Sequence, residues 1–141
     1  SPQGFITSAL AVIETLGGTE GVEIHLVGGL FRISNLDFCG ALSASMFSNF
    51  RADAAILGCD SFLPRDGAFS QDMDSAAISQ AMVQCADKRI VLCDHSKFNQ
   101  KGCYRILTLQ EIHYVVTNQP DKAFKNAPYE VIIAESSQDT E

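Results

Sequence analysis

Tryptophan is missing from the chain, proline occurs only 4 times, and 10 lysines and arginines stand against 17 aspartates and glutamates. The net charge of -7 argues against a nucleic-acid surface here, because neutralising phosphates requires clustered cations. The nearest approach to a cluster is Lys88-Arg89. No CxxC pair occurs among Cys39, Cys59, Cys85, Cys93 and Cys103. An odd count at wide spacings speaks against a disulfide framework or a zinc site, and fits reduced thiols in a cytoplasmic protein. Most of these cysteines lie in apolar runs, where Cys acts as a small hydrophobe. A basic n-region and a long uncharged apolar run are also lacking, so neither a signal peptide nor a membrane span is predicted. GxGxxG, GxxxxGK[ST] and GxSxG are absent, which removes support for a dinucleotide fold, a P-loop and a nucleophile elbow.

What is present is an ordinary globular composition, 46% apolar and 19% charged over 141 residues, a length that suits one domain. That domain is expected over residues 1–134, followed by a polar tail over 135–141. Strand-like and helix-like segments alternate. Helices are predicted over 8–16 (Leu10, Val12, Ile13 and Leu16 inward, Gly17-Gly18 as the stop), over 41–50, and over 74–86. The last is capped by Asp72 or Asp74 and turns Ala77, Ile78, Ala81, Met82 and Cys85 inward. Strands are predicted over 23–27, 54–58, 89–93, 114–117 and 131–134, with turn chemistry at Pro64-Arg65-Asp66-Gly67. This pattern implies an α/β fold, a mostly parallel sheet with helices on both faces, Rossmann-like in layout.

Such sheets bind ligands beyond the carboxyl ends of their strands. The residues there are Thr7-Ser8, Gly28-Gly29, Gly58-Cys59-Asp60, Asp94-His95-Ser96-Lys97 and Thr117-Asn118. Lys97 can meet a phosphate or carboxylate as a mobile point charge, with Ser96 and backbone N–H groups as donors; an ordinary loop whose Asp94 accepts backbone bonds is the plainer alternative. Thr7 and Ser8 read either as an anion site at a strand-to-helix junction or as a plain helix cap. Gly28-Gly29 permits close backbone approach to a ligand or merely a tight turn. Asp60 is placed to bond a sugar hydroxyl. Asp66, Asp72 and Asp74 do not follow the calcium-loop spacing, and turn and cap roles account for them. Of His25, His95 and His113, only His95 is placed to meet a ligand. No catalytic residue, metal ligand or cofactor is predicted.

In order and spacing these segments resemble the effector domain of DeoR-type bacterial repressors. The matching parts are Ile6-Thr7-Ser8, Val27-Gly28-Gly29-Leu30-Phe31-Arg32, Phe38-Cys39-Gly40, Ala52-Asp53-Ala54-Ala55-Ile56-Leu57-Gly58, Asp66-Gly67 and Val91-Leu92-Cys93-Asp94-His95-Ser96-Lys97-Phe98, with the helix from Asp74 and the strand over 112–117. Asp-x-Ser-Lys-Phe is the most specific of them. The resemblance covers about residues 4–120. It implies a fold shared with ribose-5-phosphate isomerases and glucosamine-6-phosphate deaminases, and a pocket for a phosphorylated sugar or sugar alcohol. By that likeness Thr7, Ser8 and Lys97 would hold the phosphate or nearby oxygens, with Gly28, Gly29, Gly58, Asp60, Asp94 and Ser96 around the sugar. It also implies DNA binding only through a separate N-terminal helix-turn-helix domain, no membrane partner, and a homodimer or homotetramer. The chain is expected to begin at the second strand of that effector domain, without its first phosphate loop.

Two other readings follow from the same residues. A sugar-phosphate isomerase or deaminase is favoured by fold. However, the isomerase Asp-Gly-Ala-Asp element stands here as Leu57-Gly58-Cys59-Asp60, which removes the first acid, and the Lys-Gly-Gly-Gly loop is absent. An oligomerisation module is the third reading, from Phe31, Phe38, Phe47 and Phe50, which core packing explains equally. Within the repressor family, Phe69 stands where Thr is common and Asp74 where Glu usually opens the helix.

Overall fold

Parallel pairing dominates the larger sheet of the computed structural model, which describes residues 3–135. The chain falls into two compact units divided after Phe50. The expected tail lies, from 136 onward, outside the described residues.

In the first unit, β1 (Gln3–Thr7) and β2 (Val22–Leu26) pair in parallel across the single crossover helix α1 (Leu10–Leu16). The helix starts two residues later than its periodicity predicts. Thr7 and Ser8 are still in extended chain, where their carbonyls accept the N–H groups of Val27 (2.7 Å) and Phe38 (2.8 Å). A hairpin of β3 (Leu30–Arg32) and β4 (Asp37–Cys39) follows, which the sequence pattern did not separate from loop. Arg32 and Asp37 clamp its turn end through two parallel bonds of 2.8 Å. Helix α2 (Ala41–Met46) gives way to a single 3-10 turn at Phe47–Asn49 rather than continuing to residue 50. Ser45, Ser48 and Asn49 bond back to carbonyls three residues earlier, the local competition that shortens helices rich in such residues. Of the four phenylalanines singled out above, Phe47 is buried, Phe38 and Phe50 are half-buried, and Phe31 is exposed.

The second unit contains β5 (Ala52–Leu57), β6 (Ser61–Leu63), β7 (Gly67–Ser70), α3 (Met73–Cys85), β8 (Ala86–Leu92), β9 (Tyr104–Thr108), β10 (Tyr114–Thr117) and β11 (Glu130–Ile133). Its main sheet runs β11-β10-β8-β5, parallel throughout. The antiparallel sheet β6-β7-β9 is inserted between its crossovers. Asp72 caps α3, its carboxylate accepting the Ser75 N–H at 2.9 Å, a device that stabilises by about 1 kcal/mol. The buried side of α3 carries Ala76, Ile78 and Val83 while Ala77 is exposed, so the inward stripe is rotated from the predicted one. Cys85 passes directly into β8 without a loop, and the strand begins at Ala86 rather than at 89.

Alternation along the parallel strands sorts two faces. Ala55, Leu57, Val91 and Val115 point into a core shared with Phe62, Leu107, Phe98 and Tyr129. Ile56, Leu92 and Ile132 point the other way and are 59%, 52% and 49% exposed. The strand order advances in one direction only. Right-handed crossovers therefore carry the intervening segments over the same face, where α3 packs on β5 and β8. Leu57, where the isomerase pattern has an acid, is core.

Candidate functional site

Both units bring predicted residues to the carboxyl ends of parallel strands. In the first unit the β1–β2 register ends at Thr7 opposite Leu26, which sets Thr7-Ser8 beside Gly28-Gly29. Thr7 and Ser8 are buried. The Thr7 hydroxyl accepts the Ala9 N–H at 3.1 Å, so it braces the turn into α1. The Ser8 hydroxyl has no hydrogen-bond partner among the described residues. Gly28 offers its carbonyl to the Ser43 hydroxyl at 2.6 Å. Gly29 is a packing requirement: a Cβ there would lie 1.9 Å from Ser43 Oγ and 2.8 Å from the Cys39 carbonyl oxygen. Ser43, wholly buried, is a residue that sequence reasoning missed.

In the second unit, Gly58-Cys59-Asp60 leaves β5 next to the segment that leaves β8. Asp60 is committed in part to the fold, one carboxylate oxygen accepting the Gln71 N–H (2.8 Å) and the Ser70 hydroxyl (3.2 Å). Gly58 is exposed, and open space surrounds the position a Cβ would take. After β8 the chain makes one 3-10 turn over His95–Lys97. The Asp94 carboxylate accepts both the N–H (2.8 Å) and the hydroxyl (2.6 Å) of Ser96. The Ser96 hydroxyl first, and then its N–H, hold the Asp94 carboxyl below the usual carboxylate range.

Residues following β10 steady this turn. The His95 N–H donates to the Asn118 side-chain oxygen at 2.7 Å, and the His95 ring meets the Asp121 carboxylate at 3.2 Å. The Ala123 N–H, and after it His95, hold the Asp121 carboxyl below its ordinary value. Phe98, buried, stacks at 4.6 Å on the His95 ring and anchors the exit of the turn. Asn118 and Asp121 were not among the predicted ligand residues. Asn118 stands among the strand-end residues named from sequence without a ligand role, whereas Asp121 needed the three-dimensional turn.

The Lys97 side chain projects from this braced turn, exposed, its ammonium with no hydrogen bond or ion pair among the described residues. Thr117, at the end of β10, buries a hydroxyl that likewise lacks a partner. Cys59 and Cys93 lie beneath Asp60 and Asp94. A free cation on a rigid turn accommodates an anionic group. The Asp94 carboxylate that accepts the Ser96 hydroxyl is held below its usual pKa, which makes it a weak base toward that hydroxyl. Among the described residues no group of three or more His, Cys, Asp or Glu is gathered to hold a metal ion, and no helix is long and apolar enough to cross a membrane.

The second unit is thus a parallel α/β sheet with a braced turn bearing an exposed lysine at its carboxyl edge. The family model described as the DeoR C terminal sensor domain matches residues 3–119, and the chain belongs to that family. It is 28% identical over 114 residues to a putative aga operon transcriptional repressor of Escherichia coli O157:H7, covering 81% of this chain and 42% of the relative. It is 28% identical over 120 residues to the HTH-type transcriptional repressor GlcR of Bacillus subtilis (84% and 46%). It is 23% identical over 121 residues to the glycerol-3-phosphate regulon repressor of Haemophilus influenzae (86% and 47%). The chain thus spans less than half the length of these relatives, which are transcriptional repressors rather than enzymes.

Proposed function

We propose that this domain senses a phosphorylated sugar or sugar alcohol at the carboxyl edge of its strands, and that occupancy controls DNA binding by an N-terminal helix-turn-helix domain. The observation that carries this reading is Lys97, an unpaired ammonium on a turn fixed by Asp94, Asn118 and Phe98. In the second unit Lys97 supplies charge for phosphate oxygens; in the first unit the Ser8 hydroxyl offers a free hydrogen-bonding group, with Thr7 shaping the turn. Around the sugar, the second unit offers Gly58, Asp60, Asp94 and Ser96, and the first unit by itself offers Gly28 and Gly29. The name of the Haemophilus influenzae relative, a glycerol-3-phosphate regulon repressor, supports a phosphorylated polyol as the ligand class.

In this reading residues 1–134 act as the effector-binding module. The complete sensor has the Rossmann-like layout of the sugar-phosphate isomerases, with helices also covering the face that bears Ile56, Leu92 and Ile132. The whole regulator is a cytoplasmic homodimer or homotetramer, as repeated operator half-sites favour. Ligand changes operator affinity only in so far as it binds one conformational state more tightly than the other. The test is a thermal-shift screen against a panel of phosphorylated sugars and sugar alcohols, each beside its unphosphorylated counterpart. A selective phosphorylated hit raises the melting midpoint in proportion to the logarithm of its concentration. Equal shifts from the unphosphorylated partners would overturn the assignment of the phosphate.

A further inference from the structure

Two thiols close the ends of adjacent strands at this same edge. The β5–β8 register ends with Ile56 beside Ile90 and Leu57 beside Val91; the same offset continued two residues past the strand ends brings Cys59 opposite Cys93. Leu57 and Val91 are buried, so alternation sends both cysteines to that same interior face. On its other side β8 is still held at this level, where the Cys93 N–H donates to the β10 carbonyl of Val116 at 3.1 Å. Cys93 is part of the core cluster and Cys59 packs against it, half-buried. Neighbouring strands lie about 4.8 Å apart, within the range of about 4.4–6.8 Å between Cα atoms that a disulfide spans.

We propose that Cys59 and Cys93 form a reversible disulfide that ties together the two strand-end segments carrying Asp60 and Lys97. The two thiols influence each other: Cys59 draws the Cys93 thiol below its ordinary pKa, while Cys93 and burial push that of Cys59 up. Lys97 adds a positive charge that favours both thiolates, against the negative charges of Asp60 at Cys59 and Asp94 at Cys93. With hydrogen peroxide as oxidant, the Cys93 thiolate attacks one peroxide oxygen. The O–O bond breaks, giving a sulfenic acid and a hydroxide that takes up a proton to become water. The Cys59 thiol then loses its proton and attacks the sulfenic sulfur; the S–S bond forms and the sulfur–oxygen bond breaks, releasing a second water. The two thiols together give up two electrons and two protons, and one peroxide becomes two waters. A dithiol reductant reverses the bond by exchange. The remaining cysteines, Cys39, Cys85 and Cys103, serve as internal controls, Cys103 being exposed.

That this bond bears on effector binding rests on the sensor reading; its formation does not. The full chain is treated with graded hydrogen peroxide, alkylated, digested without reduction and analysed by mass spectrometry, with hydrogen exchange measured in parallel. The expected result is a Cys59–Cys93 linked peptide lighter by two hydrogens, abolished by dithiothreitol and by Cys93→Ser. Amide exchange over residues 58–60 and 94–98 slows by about tenfold as local opening is restrained. Oxidation of Cys103 while Cys59 and Cys93 both stay alkylatable would overturn the proposal, as would linkage of either to another cysteine. A linked protein that binds no phosphorylated ligand in either redox state refutes the sensor reading and leaves the disulfide standing.

Discussion

The Asp94 carboxylate and the Ser96 hydroxyl, 2.6 Å apart, make the turn after β8 a self-contained unit. An Asx-type turn of this kind fixes the backbone before any ligand arrives, so binding at Lys97 costs side-chain ordering but little backbone ordering. Asp94→Ala should therefore weaken a phosphorylated effector by about tenfold, a coupling of ordinary size for a positioning group, and lower the melting midpoint in its absence. Asp94→Asn, which retains an oxygen acceptor for the Ser96 N–H, should recover most of the midpoint. Isothermal titration and thermal melts of the three proteins measure this, and an Asp94→Ala protein with wild-type affinity would place the turn outside the site.

Lys97 separates binding from folding. Its ammonium has no partner among the described residues and its side chain is exposed, so Lys97→Ala should leave the ligand-free melting midpoint unchanged. The same change removes a charge-assisted contact of about 1.5–3 kcal/mol, a loss of roughly 10- to 100-fold in effector affinity. Lys97→Arg should restore only part of it, because a planar fork does not reproduce a point charge.

These residues show what pattern reading can reach. The ends of the apolar parallel strands were legible, and Asp94, Ser96 and Lys97 do stand just after β8. The small antiparallel elements were not legible. β7 is buried at all four positions and reads Gly-Ala-Phe-Ser, so it has no alternation to betray a strand. β3 and β4 are three residues each, too short for a period to register. Helix α2 was overestimated because its apolar spacing continues through Phe47 and Phe50, whereas serine and asparagine back-bonding ends it. Asp60 was read as a ligand group from position alone, and its bonds to Ser70 and Gln71 could be seen only in the folded chain.

Gly29 illustrates a glycine held by its neighbour. Gly29→Ala should destabilise by about 1–3 kcal/mol, the usual penalty for overpacking, because its methyl would meet Ser43 Oγ at 1.9 Å. Ser43→Ala removes that oxygen, so the double variant should recover part of the loss and show non-additivity. The Cys39 carbonyl oxygen, 2.8 Å from the same methyl position, keeps the recovery incomplete. Urea unfolding of the four proteins in the cycle measures it, and strict additivity would show that Ser43 is not the obstacle.

His113 gives the fold a pH dependence of known sign. Its ring Nδ1 accepts the Arg89 N–H at 3.0 Å while its own N–H donates to the Arg89 carbonyl at 3.0 Å. Desolvation first, then Arg89 and Lys88, push its pKa below the ordinary 6.5. The unfolded chain thus binds the proton more readily, and stability is fully present above about pH 6.5 and declines as pH falls from there toward the lower folded value. His113→Gln should flatten the melting midpoint between about pH 5 and 7 relative to wild type, the window in which an ordinary histidine titrates. An identical slope in both proteins would assign the dependence to other groups.

Thr117 tests whether the buried edge of β10 is more than packing. Its hydroxyl is buried without a partner among the described residues, next to Asn118, which holds the His95 N–H. Burying an unsatisfied hydroxyl costs about 1–3 kcal/mol, so replacing it by a methyl of the same shape should be neutral or stabilising. Thr117→Val is therefore expected to keep or raise the urea midpoint, with effector affinity unchanged. If Thr117→Val instead keeps its stability and loses affinity, the hydroxyl reaches the effector in the bound state, and the ligand penetrates beneath the Lys97 turn. If both fall together, the hydroxyl is satisfied in solution and belongs to the core. Paired urea and titration curves on one variant thus decide how deep the site extends.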